Sequence, residues 1–207
     1  MTLLALLRHG PTAWSAARRL QGHHDTSLSA AGRAAVLRWR LPAPVTGCNW
    51  LTSPLRRAIE TARLLGLETA RREPRLIERA WGTWEGMTLA ERRGLPEAVL
   101  SERAAAGLDF QPPGGESPRQ VQARLKPLLA EIAQRGQPVG AITHKGVIRA
   151  VFALASGWDM LDEPPVHLDW ESAHLFRLDD AGHPAVERLN HSRVGKGPLP
   201  TDEGEIK

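Results

Sequence analysis

The sequence predicts an α/β protein in which a mostly parallel central sheet carries helices on both faces, with a small helical lid. Two short apolar runs, Leu3 to Leu7 and Val139 to Thr143, have the length and composition of buried parallel strands. Segments with helical periodicity alternate with strand-like segments along the chain, as expected where helices join the strands of a parallel sheet. The length of 207 residues suits one domain.

Capping and breaking residues place the elements of the first half of the chain. A helix is predicted over Ser29 to Arg40, with its serine as the cap and Pro42 as the stop. A short strand is expected over Asn49 to Thr52. The next helix is predicted from Ser53 to about Leu65, with Ser53 as the cap and proline at the first helical position.

The second half is predicted in the same way. A loop is expected over residues 77–86, followed by a broken helix over 88–106 and a loop over 111–115. A long helix over Ser117 to Arg135 contains Pro127, which should kink it. The expected elements beyond the 139–143 strand are a helix to about Ala155 and two antiparallel strands near residues 173–178 and 186–190. Residues 1–194 would then form one domain with a lid at about 86–115, and residues 195–207 a loose tail.

Composition excludes several functional classes. The single cysteine cannot form an internal disulfide or a CxxC zinc site, and without tyrosine no phenol can act in catalysis. No apolar run is long enough to span a membrane, and we expect a cytoplasmic protein. The chain has 23 arginines, four lysines and a net charge of +4. Because the arginines are spread among acidic residues, without a basic run, we expect no nucleic-acid partner.

Two histidines follow the two most strand-like segments. His9 comes directly after the first strand, in Arg8-His9-Gly10, and His144 comes directly after the strand at 139–143. Ligands of open α/β sheets bind beyond the carboxyl ends of the strands. A single histidine there is more often structural, but two at one edge of a sheet favour a functional site.

The helix predicted from Ser53 offers a third element of this site. Its free amide groups and its dipole would favour an anion at the amino terminus. Arg56 and Arg57 lie in its first turns, and side chains of a helix lean toward that end. Taken alone, the pair is better explained as solvated surface charge.

Six segments in order resemble the histidine phosphatase superfamily, the phosphoglycerate-mutase-like proteins. They are LLRHGPTAW, QGHHDTSLSAAG, TSPLRRAIETA, LIERAWGTWEG, PPGGES and AITHKGVIRA. The triplet RHG alone would be weak evidence, whereas six segments in order are specific. The resemblance extends from residue 3 to about 155, and more weakly to about 192.

This resemblance implies a role for each matching residue. His9 matches the nucleophile that is transiently phosphorylated, and Arg8 and Arg57 match the two arginines that bind the phosphate. His144 matches the second histidine of the phosphate pocket. Imidazole can attack phosphorus and split hydrolysis into two easier steps, while arginines stabilise the charge on the phosphoryl oxygens. The family therefore implies a reaction that requires neither a metal nor another cofactor.

The same resemblance identifies Glu78 as the acid that protonates the leaving oxygen, and a pocket walled by tryptophan would raise its pKa. Glu85 is the competing acid, and Glu78 is preferred because it matches the family acid ahead of the Trp-Gly pair. Gln21 and Gly22 lie in the segment that borders the substrate in the family. Glu116 could contact substrate, but the segment it precedes reads better as a helix cap.

Other positions depart from the family pattern. Ser15 stands where asparagine is usual, and its hydroxyl is expected to reach a phosphate oxygen. Lys145 follows the second histidine, where a small residue is frequent, and is expected to favour substrates with a second negative group. The run His23-His24-Asp25 could suggest a metal site, but neighbouring side chains point apart, so none is expected.

The family contains both phosphatases and mutases. The resembling mutases carry a longer insertion in the segment between Glu78 and Glu116, so its shortness here favours hydrolysis of a small phosphate ester. The alternatives are phosphoglycerate mutase-type transfer and a weakly active module that binds phosphorylated ligands. The sequence leaves open the substrate and the choice between monomer and homodimer.

Overall fold

A six-stranded sheet organises the structure, a computed structural model that describes residues 1–41, 43–96 and 105–192. In chain order the strands are β1 (Thr2–Arg8), β2 (Asn49–Thr52), β3 (Arg71–Arg72), β4 (Val139–Thr143), β5 (Ser172–Leu178) and β6 (Pro184–Ser192). Across the sheet their order is β3-β2-β4-β1-β5-β6. The four neighbouring strands β3, β2, β4 and β1 are parallel to one another, whereas β5 pairs antiparallel with both β1 and β6. The predicted α/β fold with a mostly parallel sheet is confirmed.

Six helices accompany the sheet in the part of the chain that the structure describes. They are α1 (Ala13–Ala16), α2 (Ala30–Leu37), α3 (Arg56–Leu64), α4 (Leu89–Arg93), α5 (Pro118–Arg135) and α6 (Lys145–Ser156). Short 3₁₀ turns lie at Val45–Gly47, Pro74–Leu76, Gly82–Trp84 and Gly107–Asp109. Among these residues, no helix combines the length and the apolar character needed to cross a bilayer.

Helices cover both faces of the sheet, because successive side chains of a strand point to opposite faces. On β1, Leu4 and Leu6 belong to the larger core, which α5 and α6 complete. Leu3, Ala5 and Leu7 belong to a second core on the other face, which α3 completes through small residues. This arrangement places the carboxyl ends of β2, β4 and β1 side by side, where both histidines emerge.

Several predicted caps are present. The Ser29 hydroxyl accepts from the Gly32 amide at the start of α2. Ser117 and Gln120 form a capping box at the start of α5, which explains this part of the sequence structurally. The α5 helical run continues through Pro127 without a break. Helix α2 ends at Leu37, three residues before its predicted end.

The predicted start of the third helix is wrong. Helix α3 begins at Arg56 instead of Ser53, and no side chain caps it at Leu55. The Leu55 amide donates to the Ser53 hydroxyl at 3.3 Å, so residues 53–55 form a turn ahead of the helix. The short elements α1 and β3 were not predicted. The expected stop at Pro42, the middle of the expected lid at residues 97–104 and the expected tail lie outside the described residues.

Candidate active site

The register of the parallel strands brings the two histidines together. Arg8 at the end of β1 pairs with Thr143 at the end of β4, and the His9 amide donates to the Thr143 carbonyl at 2.9 Å. The next residue on each strand is a histidine, and the ring centroids of His9 and His144 are 5.1 Å apart. On the other side of β4, Ser53 follows β2 and donates its amide to the Ile142 carbonyl at 2.9 Å.

His9 is buried and held in one tautomer. Its Nδ1 lies 2.7 Å from the Gly10 carbonyl, which can only accept a hydrogen bond. In the neutral ring the proton therefore sits on Nδ1 and the lone pair on Nε2. The Gly10 amide donates to the Thr61 hydroxyl at 2.9 Å, and that hydroxyl donates to the Arg57 carbonyl. Thr61 thus ties the histidine loop to α3.

His144 is fully buried and bonded to Ser53. Its Nε2 lies 2.7 Å from the Ser53 hydroxyl, which also accepts from the Leu55 amide. The hydroxyl proton can therefore point to Nε2, which leaves the ring proton on Nδ1. Among the described residues, this buried Nδ1 has no hydrogen-bond partner. Burial, with the charge of Arg57 as the next contribution, holds the pKa of His144 well below its usual value.

Arg57 projects from the first turn of α3 and is fully buried. Its Nη1 and Nη2 donate to the carbonyls of His24 and Gly22, each at 2.8 Å. Its buried Nε has no hydrogen-bond partner among the described residues. Burial lowers the pKa of Arg57, and Arg8 lowers it further. A buried guanidinium with an unused N–H group is suited to an incoming anion.

Arg8 lies at the end of β1 and lines the cleft above the histidines. Burial lowers its pKa, although the carboxylates of Glu78 and Glu171 act in the opposite direction. Two arginines and two imidazoles therefore surround a small volume in which an anion would relieve the cost of burying positive charge.

Glu78 reaches the same place from a loop that follows β3. Its Oε1 accepts from the backbone amides of Arg79 at 2.8 Å and Gly146 at 2.9 Å. Its side chain is 9% exposed, and burial raises its pKa despite these hydrogen bonds and the nearby arginines. A Cβ on Gly146 would lie 2.4 Å from the carboxyl oxygen, so a side chain there would displace the Glu78 carboxyl group.

The loop that carries Glu78 is fixed from two sides. The Thr143 hydroxyl at the end of β4 donates to the Leu76 carbonyl at 2.9 Å. Arg124 of α5 donates to the carbonyls of Ile77 at 2.8 Å and Glu78 at 3.3 Å. These contacts determine where the carboxyl group stands relative to the histidines.

Glu85, the competing acid, has a different environment. Its carboxylate accepts from the amides of His23 at 2.9 Å, His24 at 3.0 Å and Trp81 at 3.2 Å. It does not line the cleft. Glu85 therefore holds the segment whose carbonyls bind Arg57.

The run His23-His24-Asp25 spreads in three directions. The His23 ring bonds the Glu78 carbonyl at 2.8 Å, and the His24 ring stacks on Trp14 at 4.3 Å. Asp25 accepts from the Arg56 amide at 2.7 Å, so the amino terminus of α3, predicted to hold an anionic ligand, binds a carboxylate of the chain itself. Within the described ranges, no three His, Cys, Asp or Glu side chains are grouped to hold a metal ion.

The remaining predicted residues line the same cleft. The Ser15 hydroxyl donates to the Thr12 carbonyl at 2.9 Å and accepts from its amide, so its proton is directed to the backbone. Gln21 Oε1 accepts from the hydroxyl groups of Thr12 and Thr26. Gly22 contributes the carbonyl that binds Arg57. The structure thus brings all nine predicted site residues to one region.

That region is a cleft of about 550 Å³ at the carboxyl end of the sheet. Arg8, His9, Glu78 and Lys145 line it, and Arg57 and His144 are buried among them. Arg79 forms another part of the wall, where its guanidinium lies 4.4 Å from the centre of the Trp81 ring. The cleft can accept a small anionic molecule and place it against His9.

Sequence reasoning missed two supporting residues. It assigned Ser53 to a helix cap, although its hydroxyl bonds His144, and it gave Thr61 no role. The partner of each hydroxyl, His144 for Ser53 and the Gly10 amide for Thr61, lies far away in the sequence and follows another strand. The rule that buried polar groups need partners could have pointed to Thr61, four residues after Arg57 on the same helix face.

The fold is that of the histidine phosphatase superfamily. The family model for the histidine phosphatase superfamily, branch 1, matches residues 4–192, and the chain belongs to this family.

Several similar relatives are named phosphatases, and phosphoglycerate mutase-like protein 4 from Arabidopsis thaliana is 32% identical over 186 residues, which cover 86% of this chain and 80% of the relative. Glucosyl-3-phosphoglycerate phosphatase from Mycobacterium tuberculosis is 37% identical over 170 residues, which cover 72% of this chain and 73% of the relative. Metal-independent phosphoserine phosphatase from Arabidopsis thaliana is 32% identical over 161 residues, covering 73% and 68%.

Solved structures share the whole fold. A mycobacterial glucosyl-3-phosphoglycerate phosphatase in complex with VO3 has a TM-score of 0.73 at 30% identity, over 93% of this chain and 100% of that one. YhfR from Bacillus stearothermophilus has a TM-score of 0.79 at 28% identity, over 94% and 100%.

Proposed function

We propose that this chain is a metal-independent phosphomonoesterase that hydrolyses a small phosphorylated metabolite through a phosphohistidine on His9. One observation carries the proposal. The Gly10 carbonyl, 2.7 Å from Nδ1, leaves the lone pair of His9 on Nε2, inside a cleft lined with positive charge. The family and its named phosphatases support the same reading.

In the first step, His9 Nε2 attacks phosphorus and the bond to the ester oxygen breaks. Arg8, Arg57 Nε and His144 Nδ1 donate to the phosphoryl oxygens, on which charge is spread in the transition state. The leaving oxygen takes a proton from Glu78, whose raised pKa keeps the carboxyl group protonated at higher pH than an ordinary glutamate.

In the second step, water attacks the phosphohistidine. Glu78, now ionised, accepts a proton from that water, and inorganic phosphate leaves. The short segment between Glu78 and Glu116 favours water as the acceptor over a retained alcohol, and thus hydrolysis over mutase-type transfer.

Hydrolysis of p-nitrophenyl phosphate in the presence of a chelator tests the proposal. We expect turnover by the wild type and a loss of more than about 1,000-fold in kcat for His9→Ala. The control is His183→Ala, which removes an exposed histidine paired with Asp179 in the turn between β5 and β6. Equal activity of the wild type and His9→Ala, or no activity in either, would overturn the mechanism.

A further inference from the structure

The cleft carries more positive charge than one phosphate monoester requires. Arg8 and Arg57 suffice for the transferring phosphoryl group, yet the lining also includes Arg18, Arg19, Arg79, Arg92, Lys145 and Arg149. Of the described residues that line the cleft, Glu78 alone is acidic. Arg19 pairs with Glu91, whereas Lys145 forms no salt bridge among the described residues and can meet a further negative group of a ligand.

Like Arg79, Lys145 and Arg149 each lie against an aromatic ring, and these two share one helix. They lie one turn apart on the same face of α6. The Lys145 ammonium is 4.4 Å from the centre of the Trp170 ring, and the Arg149 guanidinium is 4.7 Å from that of Trp158. The Trp170 ring orients the Lys145 ammonium without neutralising it, in contrast to a carboxylate.

Lys145 contacts an aromatic ring in the part of the chain that the structure describes. It forms no salt bridge with any carboxylate of the described residues. Burial lowers its pKa to about 8; Arg8 and Arg149 act in the same direction and Glu78 opposes them. An anion beside Lys145 would stabilise the charged ammonium and so raise its pKa again.

Lys145 and Glu78 line the same cleft. The amide of the next residue, Gly146, donates to the Glu78 carboxyl group that protonates the leaving oxygen. If Glu78 protonates the leaving oxygen as proposed above, a cation near this carboxyl group would lie toward the alcohol part of the substrate.

We propose that Lys145 and Arg149 form a subsite for a second anionic group, a carboxylate or a second phosphate, on the alcohol part of the substrate. This subsite rests on the phosphatase activity proposed above. It makes the preferred substrates phosphate monoesters of anionic alcohols.

Two matched substrate pairs test the subsite and separate the two anions. The first compares 3-phosphoglycerate with glycerol 3-phosphate, and the second compares propane-1,3-diyl bisphosphate with 3-hydroxypropyl phosphate. We expect the wild type to prefer the more anionic member of at least one pair by about 10- to 100-fold in kcat/KM, as for a charged hydrogen bond. The pair that shows the preference identifies the anion.

Variants then assign the preference to residues. Lys145→Met and Arg149→Met should each bring the ratio within the preferred pair toward one, whereas Lys145→Arg should retain it. Lys126→Met, on the exposed side of α5, is the matched control. A ratio near one in the wild type for both pairs, or a ratio that both methionine variants leave unchanged, overturns the subsite even when p-nitrophenyl phosphate is hydrolysed. Absence of all hydrolysis, including that of p-nitrophenyl phosphate, overturns the phosphatase proposal and the subsite with it.

Discussion

The Ser53 hydroxyl lies 2.7 Å from Nε2 of His144, at the carboxyl ends of the neighbouring strands β2 and β4. Because the hydroxyl accepts from the Leu55 amide, its own proton is available to the imidazole, and the ring proton belongs on Nδ1. In the proposed mechanism, Ser53 thereby turns His144 into a donor for the phosphate. Ser53 is a positioning residue, since it acts through the histidine.

Removing this hydroxyl should weaken phosphate binding and slow turnover. For Ser53→Ala we expect a loss on the order of 10- to 100-fold in kcat/KM for p-nitrophenyl phosphate. The reason is that His144 would no longer be held in the orientation that lets it donate to the phosphate. Inhibition by inorganic phosphate should weaken as well, which a purely structural role of Ser53 would not require. Ser156→Ala removes a hydroxyl that bonds a carbonyl near the end of α6 and serves as the control. Unchanged phosphate inhibition in Ser53→Ala would contradict this role.

Glu78→Gln should separate substrates by their leaving groups. Glutamine can still accept from the Gly146 amide but has no proton for the leaving oxygen. Glycerol 3-phosphate, with a poor leaving group, should lose about 100- to 10,000-fold in kcat/KM. With p-nitrophenyl phosphate, rapid mixing should show an initial burst of nitrophenolate followed by slow turnover, because only the second step still requires the base.

A neutral substitution on the surface gives the comparison for this experiment. Glu68→Gln, at an exposed position after α3, should leave kcat/KM unchanged for both substrates. If Glu78→Gln lowered kcat/KM by the same factor for both substrates and showed no burst of nitrophenolate, Glu78 would not be the proton donor.

A methyl group on Gly146 should displace the acid without unfolding the chain. The added Cβ would lie 2.4 Å from the Glu78 carboxyl oxygen, so the carboxyl group must move. Gly146→Ala should retain thermal stability, since alanine favours a helix, and lose at least about 10-fold in kcat/KM for alkyl phosphates. Gly47→Ala is the matched control, because nothing lies within 4 Å of its Cβ. Full activity of Gly146→Ala would show that the position of Glu78 is not critical.

The pH dependence should report the raised pKa of Glu78. The protonated acid is the active form in the first step, so kcat/KM for an alkyl phosphate should fall as pH rises through its pKa. Because burial raises that pKa, the fall should lie above the usual glutamate value of about 4.3. Glu78→Gln should remove this limb from a profile measured between about pH 4 and 8. A limb that persists in the variant would belong to another group.

Local sequence patterns predicted most of the fold. The apolar runs of β1 and β4 were recognisable because both faces of those strands are buried, and α5 was recognisable from its capping box and its apolar face. The two-residue strand β3 and the four-residue helix α1 have no periodicity to detect. They exist because neighbouring segments provide their hydrogen-bond partners.

The site residues that belong to a sequence motif were predictable. The residues that reach the site through contacts between distant parts of the chain were not. Sequence motifs identified His9 and His144, and strand register explains why they meet. The hydrogen bond from Ser53 to His144 joins residues 91 positions apart, and that from Arg124 to the Glu78 loop depends on the packing of α5. The stacking of Lys145 on Trp170 likewise appears only when α6 meets the segment before β5.

The most direct test of the central claim is detection of the phosphoenzyme. Glu78→Gln, mixed with p-nitrophenyl phosphate and quenched in alkali, which preserves phosphohistidine, should carry one phosphoryl group, and peptide mass spectrometry should locate it on His9. The same experiment with His9→Ala should show none. A phosphoryl group on another residue, or a burst of nitrophenolate without any phosphorylated protein, would contradict nucleophilic attack by His9.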